Sequence, residues 1–324
     1  MKKNTGKIVR FFIVCLFVVS LFSCATKGPE VPTLTKFENQ MLWKIEGSDH
    51  KGRLSTIYVL GTIHVGDERL YPLTTEVEDA FGYADKFYGE ISSAGWDSLL
   101  LKTSMRMNRA AIEAEMIKEE LGYGWYDQLT EEQRALLVDK IGEATLSTIK
   151  DSMPWVTNNV LTSALSAETG YNSNYAYDMH FTEICKNLNI KLEGLDEVDT
   201  QLDVLSYGDY DFQLNMLIES INEVLENSNV VKEEFVKLYE AYLTGDENKI
   251  AAITYDEIKN EVAENPELEG YYNALYLDRN TNWAETFSQL LYEGGSTFVF
   301  AGCGHFVGAD SVFEIMKSKG DLVF

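Results

Sequence analysis

The chain has 324 residues and a formal net charge of −25 at pH 7, with 52 acidic against 27 basic side chains. This excess of acid argues against nucleic acid or anionic lipid as a partner, since both are bound by clusters of Lys and Arg. The length suffices for one large domain with a substantial core, or for two smaller ones.

The N-terminus has the features of an export signal. Phe11 to Ser23 is an uncharged apolar run, shorter than the ~20 residues of a membrane-spanning helix. It follows a basic start made by Lys2, Lys3, Lys7 and Arg10. We therefore predict a signal peptide over residues 1–23, rather than an uncleaved anchor.

The sequence LFSC that closes this run resembles a bacterial lipobox, in which the cysteine is lipidated and becomes the new N-terminus. Cys24 is then the lipidation site, residues 24–40 are a lipidated tether, and 41–324 form the folded domain. The protein is expected to be exported and held by its lipid on the extracytoplasmic face of a bacterial membrane. An ordinary signal peptide without lipidation is the alternative.

The folded part opens with a predicted β-hairpin. MLWKIE and LSTIYVLG are strands joined by the polar turn GSDHKG. LTTEVEDAFGYA has helical spacing with a threonine cap, and KFYGEIS is the next strand. At the far end, STFVFAG is a second fully apolar strand, followed by the helix GADSVFEIMKSKG just after His305. Strands apolar on nearly every residue indicate a sheet covered on both faces.

Most of the chain between these units is predicted to be helical. LTEEQRALLVDKIG carries a capping box at Thr130 and Gln133, and two later segments show apolar residues at helical spacing and end in glycine. One further strand is expected at NIKLEGLDEV, after the helix DMHFTEICKNL. The fold class is α/β, with a central, mostly buried sheet formed by the N- and C-terminal segments and a large helical insertion at about 93–290.

One local pattern occurs twice. STIYVLGTIH ends at His64 and STFVFAGCGH ends at His305, and the two align without a gap. Gly61 and Gly302 are expected to let the chain leave the sheet in a backbone conformation that other residues resist. Two such strands side by side bring both histidines to the carboxyl edge of the sheet, where ligands bind in open α/β folds.

Histidine is scarce, with four in the chain, so a matched pair points to metal binding or acid–base chemistry. His50 lies in a charged turn, where a solvated side chain is favoured. His180 lies in a predicted helix, where a role in the core is favoured. Carboxylates are needed beside a catalytic metal. Glu90 in YGEIS is the best placed, and the alternatives, each of which is otherwise a solvated acid, are Asp67, Glu68 and Asp196.

Several other chemistries lack their motifs. The sequence has no GxSxG elbow, no HExxH and no GxxxxGK[ST], and GCGHFVG misses the dinucleotide spacing by one residue. Cys303 lies two residues before His305, but Thr62 stands in its place in the first copy. We therefore interpret Cys303 as a turn residue.

Taken together, GTIH, GCGH, YGEIS, KLEGLDEVDTQL and DRNTNWAE resemble the TraB/GumN/PrgY family, which includes the Wnt-cleaving TIKI proteases. The resemblance covers the chain from about Met41 to its end. It implies an α/β fold related to erythromycin esterase and ChaN-like proteins, with two pseudo-symmetric halves around one pocket. It also implies a protease dependent on a divalent metal, manganese or cobalt, with zinc as the alternative, held by His64, His305 and Glu90.

The resemblance extends to supporting residues. Arg279 and Asn280 of DRNTNW match a further family position. Three roles are open for Arg279: it binds a substrate carboxylate, binds an acidic residue of the site, or forms a structural ion pair. Asp178 is another supporting residue, although Tyr175 to Tyr177 stand before it where many members carry glycine or another small residue.

These observations predict a membrane-tethered, extracytoplasmic metallohydrolase that acts on a peptide or protein. The alternative is a lipoprotein without catalytic activity that binds a peptide signal or haem, with the two histidines as candidate axial ligands.

Overall fold

The computed structural model describes Gly28 and residues 30–323 as a mixed α/β protein. The predicted signal peptide and the predicted lipidation site, Cys24, lie outside these residues. No helix in the described part of the chain is both long and apolar enough to span a membrane. The six strands are β1 (Thr33–Lys36), β2 (Leu42–Ser48), β3 (Leu54–Thr62), β4 (Lys86–Ile91), β5 (Leu192–Asp196) and β6 (Gly295–Gly302).

The helices lie mostly between β4 and β6, with the first before β4 and the last after β6. They are α1 (Thr75–Gly82), α2 (Ser93–Leu121), α3 (Trp125–Gln128), α4 (Glu131–Ile141), α5 (Glu143–Ile149), α6 (Pro154–Ala167), α7 (Tyr177–Asn187), α8 (Val198–Leu205), α9 (Tyr210–Glu226), α10 (Val230–Leu243), α11 (Glu247–Ala251), α12 (Glu257–Glu264), α13 (Glu269–Tyr272), α14 (Asp278–Glu293) and α15 (Val312–Ser318). Two π-helical turns, Ala252–Asp256 and Asn273–Leu277, interrupt this series.

The strands form one sheet in the order β1-β2-β3-β6-β4-β5. β1, β2 and β3 are antiparallel neighbours, whereas the pairs β3–β6, β6–β4 and β4–β5 are parallel. The predicted hairpin and the pairing of the two repeated strands are therefore confirmed. Because parallel strands end at the same edge, the carboxyl ends of β3, β6, β4 and β5 lie together.

Both faces of the sheet are buried, as the apolar strands predict. On β6, Val299 and Ala301 pack with α14 and α15, while Phe298 and Phe300 face a cluster with α1 and α7. A separate apolar cluster lies within the helical insertion and joins α4, α6 and α9. The sheet thus positions the loops at its carboxyl edge, and the insertion covers them.

Two helices begin with the capping residues that the sequence predicts. The side chain of Thr74 accepts a hydrogen bond from the amide of Val77, and Thr130 with Gln133 forms the predicted capping box. The helix expected directly after His305 begins later, at Val312, because a 3₁₀ turn over Cys303–Phe306 follows β6 first.

The predicted tether over 24–40 needs a correction. Thr33–Lys36 form β1 and pair with Trp43–Glu46 of β2, so this part of the segment belongs to the sheet. This strand has four residues, of which Leu34 alone is apolar, and it follows a proline-containing stretch, so no alternating pattern revealed it.

Candidate functional site

The carboxyl edge of the parallel strands carries the predicted site residues. Glu90 lies near the end of β4, and Asp196 ends β5. His64 follows β3 by two residues and His305 follows β6 by three. In the sheet, Thr62 pairs with Gly302, whereas the alignment of the two sequence repeats matches Thr62 with Cys303. The strand register therefore differs from the repeat alignment by one residue.

His64 is oriented by a carboxylate. Its Nδ1 atom lies 2.8 Å from Oδ2 of Asp178, the second residue of α7. The imidazole is 69% exposed and opens into a cavity. The hydrogen bond with Asp178 raises the pKa of His64 to about 9, and the nearby Glu90 carboxylate acts in the same direction. With Nδ1 facing Asp178, Nε2 is the nitrogen turned toward the site.

His305 is buried and held differently. Its Nδ1 lies 2.6 Å from Oδ1 of Asn280, whose amide nitrogen donates to the carbonyl of Asp310 at 2.8 Å. That second bond fixes which way the amide points, so Nδ1 of His305 carries the proton and Nε2 carries a lone pair. Burial lowers the pKa of His305 well below its usual value, and the charges of Arg279 and His64 add to this. The ring of Trp283 packs against the imidazole with centroids 4.3 Å apart.

Glu90 is fixed at both oxygens. Oε1 accepts the amide proton of Gly302 at 2.7 Å, and Oε2 accepts from Nη2 of Arg279 and Nε2 of Gln201, each at 3.0 Å. The carboxylate is thereby tied to β6, α14 and α8 at once. Its position is determined by the whole carboxyl edge rather than by β4 alone.

Arg279 forms a buried ion-pair network. Its Nε and Nη2 lie 2.8 and 2.7 Å from Oδ2 of Asp196, and Nη2 also reaches Glu90. Oδ1 of Asp196 accepts from the indole of Trp283 at 2.7 Å. Burial raises the pKa of Asp196, while the adjacent guanidinium opposes the shift. Of the roles weighed from the sequence, the geometry places Arg279 on acidic members of the site.

The expectation that Gly61 and Gly302 adopt backbone angles closed to other residues is wrong. Both positions instead need glycine because neighbouring atoms leave little room for a side chain. Gly302 has φ −51° and ψ 127°, open to any residue, and Gly61 is not among the glycines of positive φ. A β-carbon on Gly61 would lie 3.0 Å from Cβ of Cys303. One on Gly302 would lie 3.1 Å from Oε1 of Glu90, 3.7 Å from Cδ2 of His305 and 3.9 Å from Nε2 of His64. The three predicted residues therefore converge on Gly302.

A cavity of about 800 Å³ opens over this point. Such a volume is typical of sites for small molecules or short segments. The two π-helical turns contribute Thr254, Leu275 and Tyr276, and α10 adds Phe235 and Leu238. π-Helical turns are frequent at functional sites because they redirect side chains along a helix. The cavity thus combines an apolar wall with the polar floor of His64, Glu90 and His305.

A smaller cavity of about 110 Å³ lies behind His64 and Glu90. Asp178, Thr182 and Gln201 line it, and Oδ1 of Asp178 and Oγ1 of Thr182 are buried there without a hydrogen-bond partner among the described residues. Buried polar atoms of this kind are normally satisfied by water.

The other sequence candidates lie elsewhere or are chemically inert. His50 contacts the carbonyl of Tyr292 at 3.1 Å, on the β2–β3 turn. Asp67 is bound by Arg69 and by the hydroxyl of Tyr239, away from the cavity. Cys303 lines the cavity but is buried, and that burial raises the pKa of its thiol to about 12.

Gln201 and Trp283 are functional residues that the sequence pattern does not identify. Gln201 is the second-to-last residue of KLEGLDEVDTQL, and Trp283 lies in DRNTNWAE. Their roles depend on contacts across the fold, with Glu90 for Gln201 and with Asp196 and His305 for Trp283. The signal in the sequence is their position, since Gln201 follows β5 closely and Trp283 lies four residues after Arg279 in α14.

The fit to a divalent metal is strongest at the histidines. Both imidazoles use Nδ1 for a carboxylate or amide partner and present Nε2, the arrangement that orients metal-ligating histidines in proteins. Oε1 of Glu90 accepts one hydrogen bond and keeps a lone pair for a metal, whereas Oε2 accepts two hydrogen bonds. In the part of the chain that the structure describes, no three His, Cys, Asp or Glu side chains are already grouped at metal-binding distance.

Comparison with known proteins finds one family and one relative that match most of this chain. Residues 41–323 match the profile of the TraB/PrgY/gumN family. A protein of Treponema pallidum (strain Nichols), described as uncharacterized, is 27% identical over 312 residues, which cover 95% of this chain and 90% of that protein. No solved structure matches the chain.

Proposed function

The chain belongs to the TraB/PrgY/gumN family, and from this membership and the geometry of the site we propose that it is a divalent-metal-dependent hydrolase, of the peptidase type. The observation that carries the proposal is the convergence of His64, Glu90 and His305 on Gly302 at the floor of the large cavity. Two histidines and a carboxylate are a recurrent ligand set for catalytic metals.

In this proposal, Nε2 of His64, Nε2 of His305 and Glu90 would hold the metal, manganese or cobalt, with zinc as the alternative. Bound there, it would supply a water molecule of lowered pKa and polarise a substrate carbonyl. Asp178 and Asn280 hold the two imidazoles in the ligating tautomer. Arg279 and the amide of Gly302 fix the direction of Glu90.

The remaining residues of the site have separate tasks. Asp178 binds Nδ1 of His64 through Oδ2 and lines the smaller cavity, so its task is to orient that imidazole. Arg279 and Trp283 occupy both oxygens of Asp196, so its task is to hold Arg279 in place. The apolar cavity wall, including Phe235, Leu238 and Leu275, would bind side chains of a peptide or protein substrate.

Export and lipid anchoring at Cys24 complete the proposal. The basic start, the apolar run and LFSC support them. Mass spectrometry of the N-terminal fragment from cells tests this directly: a diacylated Cys24 is expected, and an unmodified N-terminus carrying residues 1–23 would overturn it.

The hydrolase proposal is tested by peptide cleavage. The purified chain, loaded with Mn²⁺, Co²⁺ or Zn²⁺, is incubated with a mixed peptide library and the products are identified by mass spectrometry. His64→Ala, His305→Ala and Glu90→Gln should each abolish cleavage while retaining the circular dichroism of the parent. His50→Ala is the matched control, since His50 lies on a distant turn. Full cleavage by both site histidine variants would overturn the proposal.

The competing function, binding of a peptide or haem without chemistry, has support from the size and apolar wall of the same cavity. Haem titration separates it. A Soret band that needs both His64 and His305, in a protein that cleaves no peptide, would favour haem binding.

A further inference from the structure

The helix α2 carries an unusual outward face. It runs for 29 residues, and its buried residues are Ala110 and Ala114. On the opposite side, four large apolar side chains are 60–64% exposed: Leu101, Met105, Ile112 and Met116. Large exposed apolar side chains concentrated on one helix face are typical of an interaction site.

The four residues form one stripe. At about 100° per residue they fall within about 60° of one another around the helix. The intervals between successive members are four, seven and four residues, so the pattern is identical whether the helix is followed from its N-terminus or from its C-terminus. The stripe is therefore symmetric about a point between Asn108 and Arg109. A symmetric patch is what a twofold interface requires, because each copy presents the same surface.

The charges along α2 distinguish the two ways of pairing it with a copy. Lys102 and Arg106 lie in the first half of the helix, where they pair with Asp199 and Asp203 of the same chain. The second half is rich in acid, with Glu113, Glu115, Glu119 and Glu120 against Arg109 and Lys118. An antiparallel pair puts this acidic half beside the half that carries Lys102 and Arg106, while a parallel pair puts acid beside acid. The same acid disfavours insertion into a membrane surface, where amphipathic helices carry Lys and Arg.

We propose that α2 pairs antiparallel with α2 of a second copy of this chain, which makes the protein a homodimer. About the twofold axis, Met105 faces Ile112 of the second copy and Leu101 faces its Met116. One helix face from each copy lies at the small end of specific interfaces, which begin near 1,200 Å². The dimer is therefore weak and depends on protein concentration.

Sedimentation velocity of the full chain over a concentration series tests this. The parent should shift from monomer to dimer as concentration rises. Met105→Glu and Ile112→Lys should each weaken self-association by roughly tenfold or more, since each places two like charges near the apolar centre. An equimolar mixture of the two variants should regain dimer, because Glu at 105 then faces Lys at 112 and the second such contact stays apolar.

Leu100→Glu is the matched control. Leu100 is 80% exposed on the same helix but points away from the stripe, so dimerisation should be unchanged. Circular dichroism checks that each variant is folded. A parent that stays monomeric at every concentration, or a mixture no more dimeric than its components, would overturn the proposal. Binding of the monomeric parent to phospholipid vesicles would instead assign the stripe to a membrane surface.

Discussion

Asp178 holds His64 through a contact of 2.8 Å between Oδ2 and Nδ1, across 114 residues of sequence. The equivalent nitrogen of His305 is held by the neutral Asn280. The two repeated histidines are thus matched in position but not in charge: the pKa of His64 is raised and that of His305 is lowered. The site pairs one imidazole that readily holds a second proton with one that stays neutral.

Replacing Asp178 by Asn should lower the pKa of His64 from about 9 toward its usual 6.5 in the metal-free protein. Asparagine keeps an acceptor oxygen but removes the charge that favours the imidazolium. NMR titration of labelled histidines measures the shift, and His64→Ala assigns the signal. An unchanged pKa in Asp178→Asn would contradict the assigned cause.

The raised pKa of His64 also predicts how the free energy of unfolding changes with pH. A folded-state pKa raised above the unfolded value stabilises the fold fully below about 6.5, and this contribution is lost as pH rises through about 9. Denaturant unfolding of the metal-free parent should therefore show declining stability over that interval. Asp178→Asn should show a flatter profile there, and parallel profiles for the two proteins would count against the linkage.

Arg279→Ala should destabilise the fold by about 3–5 kcal/mol, because it leaves the buried carboxylates of Glu90 and Asp196 without their cation. Arg279→Lys should recover only part of this, since an ammonium cannot reproduce the forked contacts. Urea unfolding measures both. Arg109→Ala, which breaks an exposed pair with Glu113, should change stability little. Equal losses in the two alanine variants would refute the network's importance.

Gly302→Ala should preserve the fold but impair the site. Its backbone angles suit alanine, whereas the added methyl carbon would lie 3.1 Å from Oε1 of Glu90. We expect loss of peptide cleavage, with a melting temperature close to that of the parent. Gly82→Ala is the control, since nothing lies within 4 Å of its added carbon. Retained cleavage in Gly302→Ala would show that the spacing around Gly302 is unimportant.

Cys303→Ala should retain hydrolysis. The thiol is buried and its pKa is raised to about 12, so the reactive thiolate is scarce at neutral pH. In the native protein, Cys303 should also resist alkylation until the chain is unfolded, which mass spectrometry of the labelled peptides measures. Loss of activity together with rapid alkylation would make Cys303 the nucleophile.

The sequence predicted the strands β2 to β6, the side-by-side pairing of the two repeats and the helical insertion, because apolar runs and cap residues are local signals. It selected His64, Glu90 and His305 from a repeat and a resemblance. It could not show that Asp178 orients one histidine and Asn280 the other, or that Gln201 binds Glu90, since these contacts join distant segments. It misjudged Gly61 and Gly302, because crowding by Cys303 and Glu90 exists only after folding. It also missed β1, a strand of four residues.

Metal content is the most direct test of the proposed function. The purified parent and a His64→Ala, His305→Ala double variant are loaded separately with manganese, cobalt and zinc, freed of excess metal, and analysed by elemental mass spectrometry. The proposal predicts about one metal ion per parent chain for at least one of these metals and none in the double variant. Equal metal content in the two proteins, with both folded, would contradict a metal site at His64 and His305.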